Sequence, residues 1–164
     1  MSERSLHYVS PDDGFQDPDR IGVDEPDKAR AVVIPFGLEA SVSYGGGTRR
    51  GPAAILAASQ QLELFDEVLW CEPYKAFGIA TLAEPNIADS VDAALDQLEG
   101  LVEAVLAQGR FPLVRGGEHS LTAGAIRPFA RRHDKVVGLQ IDAHADLRDG
   151  YLGDHNSHAS AMRR

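Results

Sequence analysis

Asp142, His144 and Asp146 alternate in "IDAHAD", His119 stands upstream in "GGEHS", and His158 lies near the end in "NSHASAMRR". In an extended segment, side chains at i, i+2 and i+4 point the same way. Two carboxylates and an imidazole therefore converge on one side of the chain. They cannot share an apolar face, because an isolated buried carboxylate is very costly. A solvated loop with accidental alternation is one explanation, and a bound metal is the better one. Mixed imidazole and carboxylate donors suit manganese, iron or zinc rather than an all-sulfur site. His119 follows Gly116 and Gly117, which allow close backbone approach. It strengthens the metal reading if its strand end neighbours that of Asp142. Glu118 also carries a ligand group, but in an extended turn it faces away from His119.

These groups need elements to position them. "AVVIPFG" from Ala31 is a short apolar run ending in Pro and Gly, as in a buried strand. "TRRGPAAILAASQQLE" follows as a helix with Pro52 near its first turn. "LELFD" (62–66) and "FGIATL" (77–82) are two further strand candidates. "DSVDAALDQLEGLVEAVLAQG" predicts the clearest helix. Val91, Ala94, Leu95, Leu98, Val102, Val105 and Leu106 form one stripe, Asp89 or Ser90 caps its start, and Gly109 stops it. "FPLVRGG" predicts a strand, "SLTAGAIRPFARR" a short helix disturbed by Pro128, and "KVVGLQID" a final strand. Strands separated by helices predict a parallel sheet covered on both faces. Ligands of such sheets bind beyond the carboxyl ends of the strands, where "GGEHS" and "DAHAD" begin.

Other features carry less chemistry. The glycine-rich "SYGGGTRRGP" (43–52) has neither a phosphate-loop ending nor dinucleotide-fingerprint spacing, and is expected to border an active site or a subunit contact. Metal-dependent phosphoesterases also use an Asp-x-His strand end, but their later Gly-Asn-His does not occur in this sequence. His7 and His133 are expected to be solvated, and Cys71 in "LWCEPY" to be a buried, inert thiol.

A length of 164 residues suits one domain with a proper core. Residues 1 to 30 interleave Asp12, Asp13, Asp17, Asp19, Asp24, Glu25 and Asp27 with Pro11, Pro18 and Pro26, and predict a polar, irregular arm. The formal charge of −9 makes nucleic acid a poor partner and favours a neutral or cationic small molecule. A single cysteine rules out an internal disulfide and fits a reducing cytoplasm. The apolar runs all fall short of the roughly 20 residues that a membrane span requires, so neither membrane insertion nor a signal peptide is expected.

Taken in order, "GGEHS", "DAHAD" and "SHASAMRR" resemble the arginase and agmatinase family of manganese ureohydrolases. "GGGTRRGPAAIL" is similar to that family's "GTRxGPxAIR" element. The resemblance runs from about Ala31 to Arg164, and the ending "HNSHASAMRR" is most similar to agmatinases. It implies a three-layer α/β fold of the arginase and deacetylase kind, with residues 31–164 as the N-terminal part of the domain. It also implies two Mn2+ ions that activate a shared water for attack on a guanidinium carbon, as in conversion of agmatine to putrescine and urea in polyamine synthesis. By the resemblance, His119 binds one ion and His144 the other. Asp142 bridges the two, and Asp146 holds the first and hydrogen-bonds the hydroxide. His158 matches the histidine that shuttles a proton to the departing amine. A guanidinium stays charged at all working pH, so an acidic site suits it.

The family's later Ser-x-Asp-x-Asp motif, with two more metal ligands, and the acidic residue that receives the guanidinium have no counterpart in this sequence. The first ion would keep three of four protein ligands and the second only two. At most one ion is therefore expected to be held well, and the chain alone is expected to be inactive. In the family's sheet, late strands insert between the third and fourth. Without them inner edges are open, which invites aggregation. The family pattern also implies a homo-oligomer at full length. Alternatives are another guanidino or formimino substrate, a deacetylase-like single-zinc hydrolase, or a non-catalytic fragment that completes its sheet with a partner chain.

Overall fold

In the computed structural model, which describes residues 5–16 and 24–164, three strands form a parallel sheet. They are β1 (Ala31–Phe36), β2 (Ile79–Thr81) and β3 (Phe111–Gly116), in the order β2-β1-β3. The central strand β1 is buried along its whole length. That is why "AVVIPF" is continuously apolar rather than alternating. Val32, Ile34 and Phe36 face one helical layer, and Ala31 and Val33 face the other.

The first layer contains α3 (Val91–Ala107) and α4 (Leu121–Arg132). Helix α3 buries Ala94, Leu95, Leu98, Val102 and Val105 of the stripe expected from its sequence, and Val91 and Leu106 are partly buried against the same core. The Ser90 hydroxyl caps it by accepting from the Ala93 N–H. Helix α4 continues through Pro128 instead of breaking there. Its packing explains the difference from the sequence expectation. A Cβ on Gly124 would lie 2.6 Å from the Leu95 carbonyl oxygen, so a glycine there lets α4 approach the α3 backbone. Arg127, Arg131 and Arg132 then pair with Asp96, Glu99 and Glu103 across the two helices. On the opposite face α1 (Gly51–Ser59) covers the sheet through Leu56, and a single turn, α2 (Tyr74–Phe77), precedes β2.

Three expectations are corrected. Residues 62–66 do not form a strand. The Asp66 carboxylate accepts from the Val68 and Leu69 N–H groups and closes a turn, with Asp66 bridged to Cys71. Cys71 is exposed rather than buried, in a turn whose Val68, Leu69 and Trp70 are exposed as well. Residues 135–141 join no sheet among the described residues, and Val137, Leu139 and Ile141 are 82, 88 and 92% exposed. A strand needs a neighbour to satisfy its ladder, and among the described residues β3 pairs only with β1. Among the described residues β3 therefore has one open edge, and the apolar segment 135–141 is unpaired.

The described residues of the lead-in, 5–16 and 24–30, include one 3-10 turn (Pro11–Asp13) and are bonded to the body. Val9 donates to the Thr81 carbonyl, Ala83 to the His7 carbonyl, and Ile79 to the buried Asp24 carboxylate at 2.6 Å. These bonds cover the outer edge of β2. Asp17, Pro18 and Asp19 lie outside the described residues. No helix among the described residues is long and apolar enough to cross a membrane.

Candidate metal centre

The carboxyl end of β3 runs directly into Gly116, Gly117, Glu118 and His119. A Cβ on Gly117 would sit 2.2 Å from the Leu38 carbonyl oxygen, so only glycine lets this turn close onto the loop after β1. The Glu118 N–H then bonds the Leu38 carbonyl at 3.0 Å. Glu118 turns inward, away from His119, and is buried. Its carboxylate accepts from the Ala40 N–H (2.6 Å), the Ser41 N–H (2.7 Å), the Ser41 hydroxyl (2.8 Å) and the Ser120 hydroxyl (2.5 Å). Burial pushes the Glu118 carboxyl up. The bonds from Ser120, Ser41 and Ala40 outweigh it and hold the group below its ordinary range. Glu118 is a fastener for the 38–41 loop rather than a ligand.

A folded-state carboxyl pKa below the unfolded value means stability that is complete at neutral pH and lost as pH falls through the folded pKa. The ordinary glutamate value is about 4.3. Glu118→Gln is therefore expected to lower stability at pH 7 and to flatten the pH dependence below about pH 4.3. Urea midpoints of both proteins across the acid range test this. Parallel profiles would rule out the fastening role.

His119 points to the other side of the turn and meets two of the carboxylates singled out above. Its Nδ1 lies 2.6 Å from Asp146 Oδ2 and 3.7 Å from Asp142 Oδ2. One donor atom from each of His119, Asp142 and Asp146 lies within 4.8 Å of the other two. Asp142 is held below the usual carboxylate range, first by the His144 N–H and then by the nearby imidazoles. Two anionic carboxylates and an imidazole match the charge and the donor preference of divalent manganese, iron or zinc.

Strand alternation does not bring the two aspartates together. The segment bends, the Asp142 carboxylate accepts from the His144 N–H at 2.8 Å, and Asp146 adopts a left-handed φ of 48°. Aspartate tolerates that region better than most residues, and the Met162 N–H bonding the Asp146 carbonyl at 3.1 Å helps to fix it. His144 borders the same cleft but stands outside the trio, its ring 81% exposed and 3.6 Å from Asp142.

The cleft has a volume of about 910 Å3. Beyond the trio it is lined by Ser43 and Thr48 of the glycine-rich loop, and by Tyr151 and His158. His158 opens a 3-10 turn (His158–Arg163) tied back to the aspartate segment by the bond from the Arg148 N–H to the Ala159 carbonyl. Its imidazole sits between the Ser41 hydroxyl (3.2 Å to Nδ1) and the Ser43 hydroxyl (3.1 Å to Nε2). Tyr151 packs edge-on at 5.5 Å. Sequence reasoning missed these serines. The available signal was the alternation of Ser41 and Ser43 in "ASVSY", the same period that drew attention to Asp142 and Asp146.

Residues 29–164 match the family model of the arginase family. The chain belongs to that family. It is 38% identical over 142 residues to N(1)-aminopropylagmatine ureohydrolase of Synechocystis, a match covering 83% of this chain and 46% of that protein. It is 31% identical to an agmatinase of Bacillus anthracis, covering 84% of this chain and 48% of the relative. Among solved structures it is similar to agmatine ureohydrolase of Thermoplasma volcanium, with a TM-score of 0.70 and 29% identity over 97% of this chain and 50% of that one. A Trypanosoma cruzi formiminoglutamase with Mn2+ superposes at a TM-score of 0.65 with 26% identity, over 84% of this chain and 47% of that one. The chain thus spans about half the length of the relatives it matches. Its parallel sheet with helices on both faces is an arginase-family fold over that shared length.

Proposed function

We propose that this chain carries the first half of an agmatinase-type ureohydrolase acting on a cationic guanidino-amine, agmatine or its aminopropyl derivative. The observation that carries the reading is the meeting of His119, Asp142 and Asp146 at one end of a cleft that His158 also lines. His119, Asp142 and Asp146 would hold the first Mn2+, with Asp142 and His144 contributing to a second. Bound divalent metal supplies Lewis acidity that makes water nucleophilic at neutral pH.

The protein's own groups do the rest. The Asp142 and Asp146 carboxylates give the cleft a negative field that draws in a guanidinium. Asp146 orients the attacking water by hydrogen bonding. His158 hands a proton to the departing amine, so that water and agmatine become urea and putrescine. The 164-residue chain by itself is expected to hold at most one ion well and to be inactive. The open β3 edge favours a second reading, in which the chain completes its sheet with a partner chain that brings the remaining ligands.

A chimera tests the enzymatic reading. Residues 29–164 would replace the matching part of the Synechocystis ureohydrolase, and urea release from agmatine and N(1)-aminopropylagmatine would be assayed with Mn2+. The expected result is Mn2+-dependent urea from the chimera and none from the 164-residue chain. Urea from the isolated chain would overturn its expected inactivity. A folded chimera that binds Mn2+ yet releases no urea from either compound would overturn the substrate class.

A further inference from the structure

We infer that Ser41, locked in place by Glu118, holds neutral His158 in the tautomer that carries its proton on Nδ1, leaving Nε2 as the proton-accepting atom at the cleft. The inference follows from counting hydrogen bonds. A serine hydroxyl has one donor and two acceptor sites. Ser41 Oγ has three close partners: a Glu118 carboxylate oxygen at 2.8 Å, the His158 backbone N–H at 2.9 Å and His158 Nδ1 at 3.2 Å. An ionised carboxylate only accepts, so the single hydroxyl proton goes to Glu118. The His158 N–H can only donate, and it occupies one lone pair. The contact with Nδ1 is then favourable only if Nδ1 donates to the second lone pair. A bare Nδ1 would face an oxygen with no proton left to offer.

The other nitrogen completes the count. With Nδ1 protonated, neutral imidazole has its lone pair on Nε2, and the Ser43 hydroxyl at 3.1 Å donates to it. Glu118 cannot rotate to release Ser41, because its two oxygens also accept from the Ala40 and Ser41 N–H groups and from Ser120. Tyr151 packs against the imidazole edge-on, which limits rotation of the ring. Ser41 and Glu118 are therefore positioning residues. They act through His158 and fix which of its nitrogens exchanges protons, as an orienting group does for a catalytic histidine.

The use of Nε2 in proton transfer rests on the ureohydrolase reading, whereas the tautomer does not. The test is 15N NMR of the 164-residue chain labelled with [15N]histidine and sedimented for magic-angle spinning, at about pH 8.5, well above the ordinary histidine pKa of about 6.5. His158 signals are assigned by their loss in His158→Gln. The expected spectrum has a protonated Nδ1 and an unprotonated Nε2. Ser41→Ala is expected to shift the tautomer ratio about fivefold or more toward Nε2–H, the effect of one hydrogen bond, and Ser41→Thr to restore it. A wild-type His158 protonated on Nε2 would overturn the inference. So would an unchanged ratio in a folded Ser41→Ala variant. If Ser41→Ala does not fold, the wild-type tautomer alone decides. An inactive chimera alongside an Nδ1–H tautomer would remove the enzymatic reading and leave the tautomer standing.

Discussion

Asp146→Asn is expected to weaken Mn2+ binding by at least about 100-fold, since even the residues that merely support metal ligands cost about 10–100-fold when lost. Asp146 brings a negative charge and an oxygen 2.6 Å from His119 Nδ1. Asparagine keeps the shape, and its carbonyl is a far poorer donor to a divalent cation. His144→Ala is the matched control. That ring is largely exposed and outside the trio, so its loss is expected to leave the tighter ion in place. Electron paramagnetic resonance of free Mn2+ during titration of the two variants and the parent measures the difference. Equal losses in both variants would show that the trio is not the tighter site. No loss in Asp146→Asn would remove Asp146 from the ligand set.

The second large effect concerns association. Val137, Leu139 and Ile141 recur every second residue with their side chains in solvent, and the outer edge of β3 is unpaired among the described residues. An apolar extended segment and an open strand edge form a template for pairing with another chain. The isolated 164-residue chain is expected to sediment as a mixture of assemblies at micromolar concentration. The double variant Val137→Lys/Leu139→Lys is expected to sediment mainly at the 17.7 kDa of one chain. Charge at these positions costs the fold little, because neither side chain packs against it, and lysine on a strand edge opposes pairing. Sedimentation velocity of the two proteins decides the point. A parent that already runs as a monomer would show that these surfaces do not mediate association.

Much of the fold was legible locally. The uninterrupted apolar run of β1, the stripe and Ser90 cap of α3, and the glycines before His119 each state their structural role within a few residues. Burial, capping and close backbone approach depend on local spacing there. The grouping of His119 with Asp142 and Asp146 could be suspected from residue types alone, since carboxylates and an imidazole at strand ends have few uses besides a metal.

Tertiary structure decided the rest. Residues 62–66 and 135–141 have the composition of strands, yet a strand exists only where a neighbour satisfies its ladder, and composition does not say whether one is there. Pro128 should disturb a helix, but the close packing allowed by Gly124 and the arginine pairs across to α3 hold α4 continuous. His144 belongs to the strict alternation, but a bend at Asp142 and the left-handed Asp146 turn it out of the trio. The cradle around His158 joins it to Ser41 and Ser43, more than a hundred positions away, and Ser41 in turn to the distant Glu118. Spacing along the chain determined which residues could do chemistry. Which of them meet, and which proton His158 carries, was set by contacts between distant segments that local spacing does not encode.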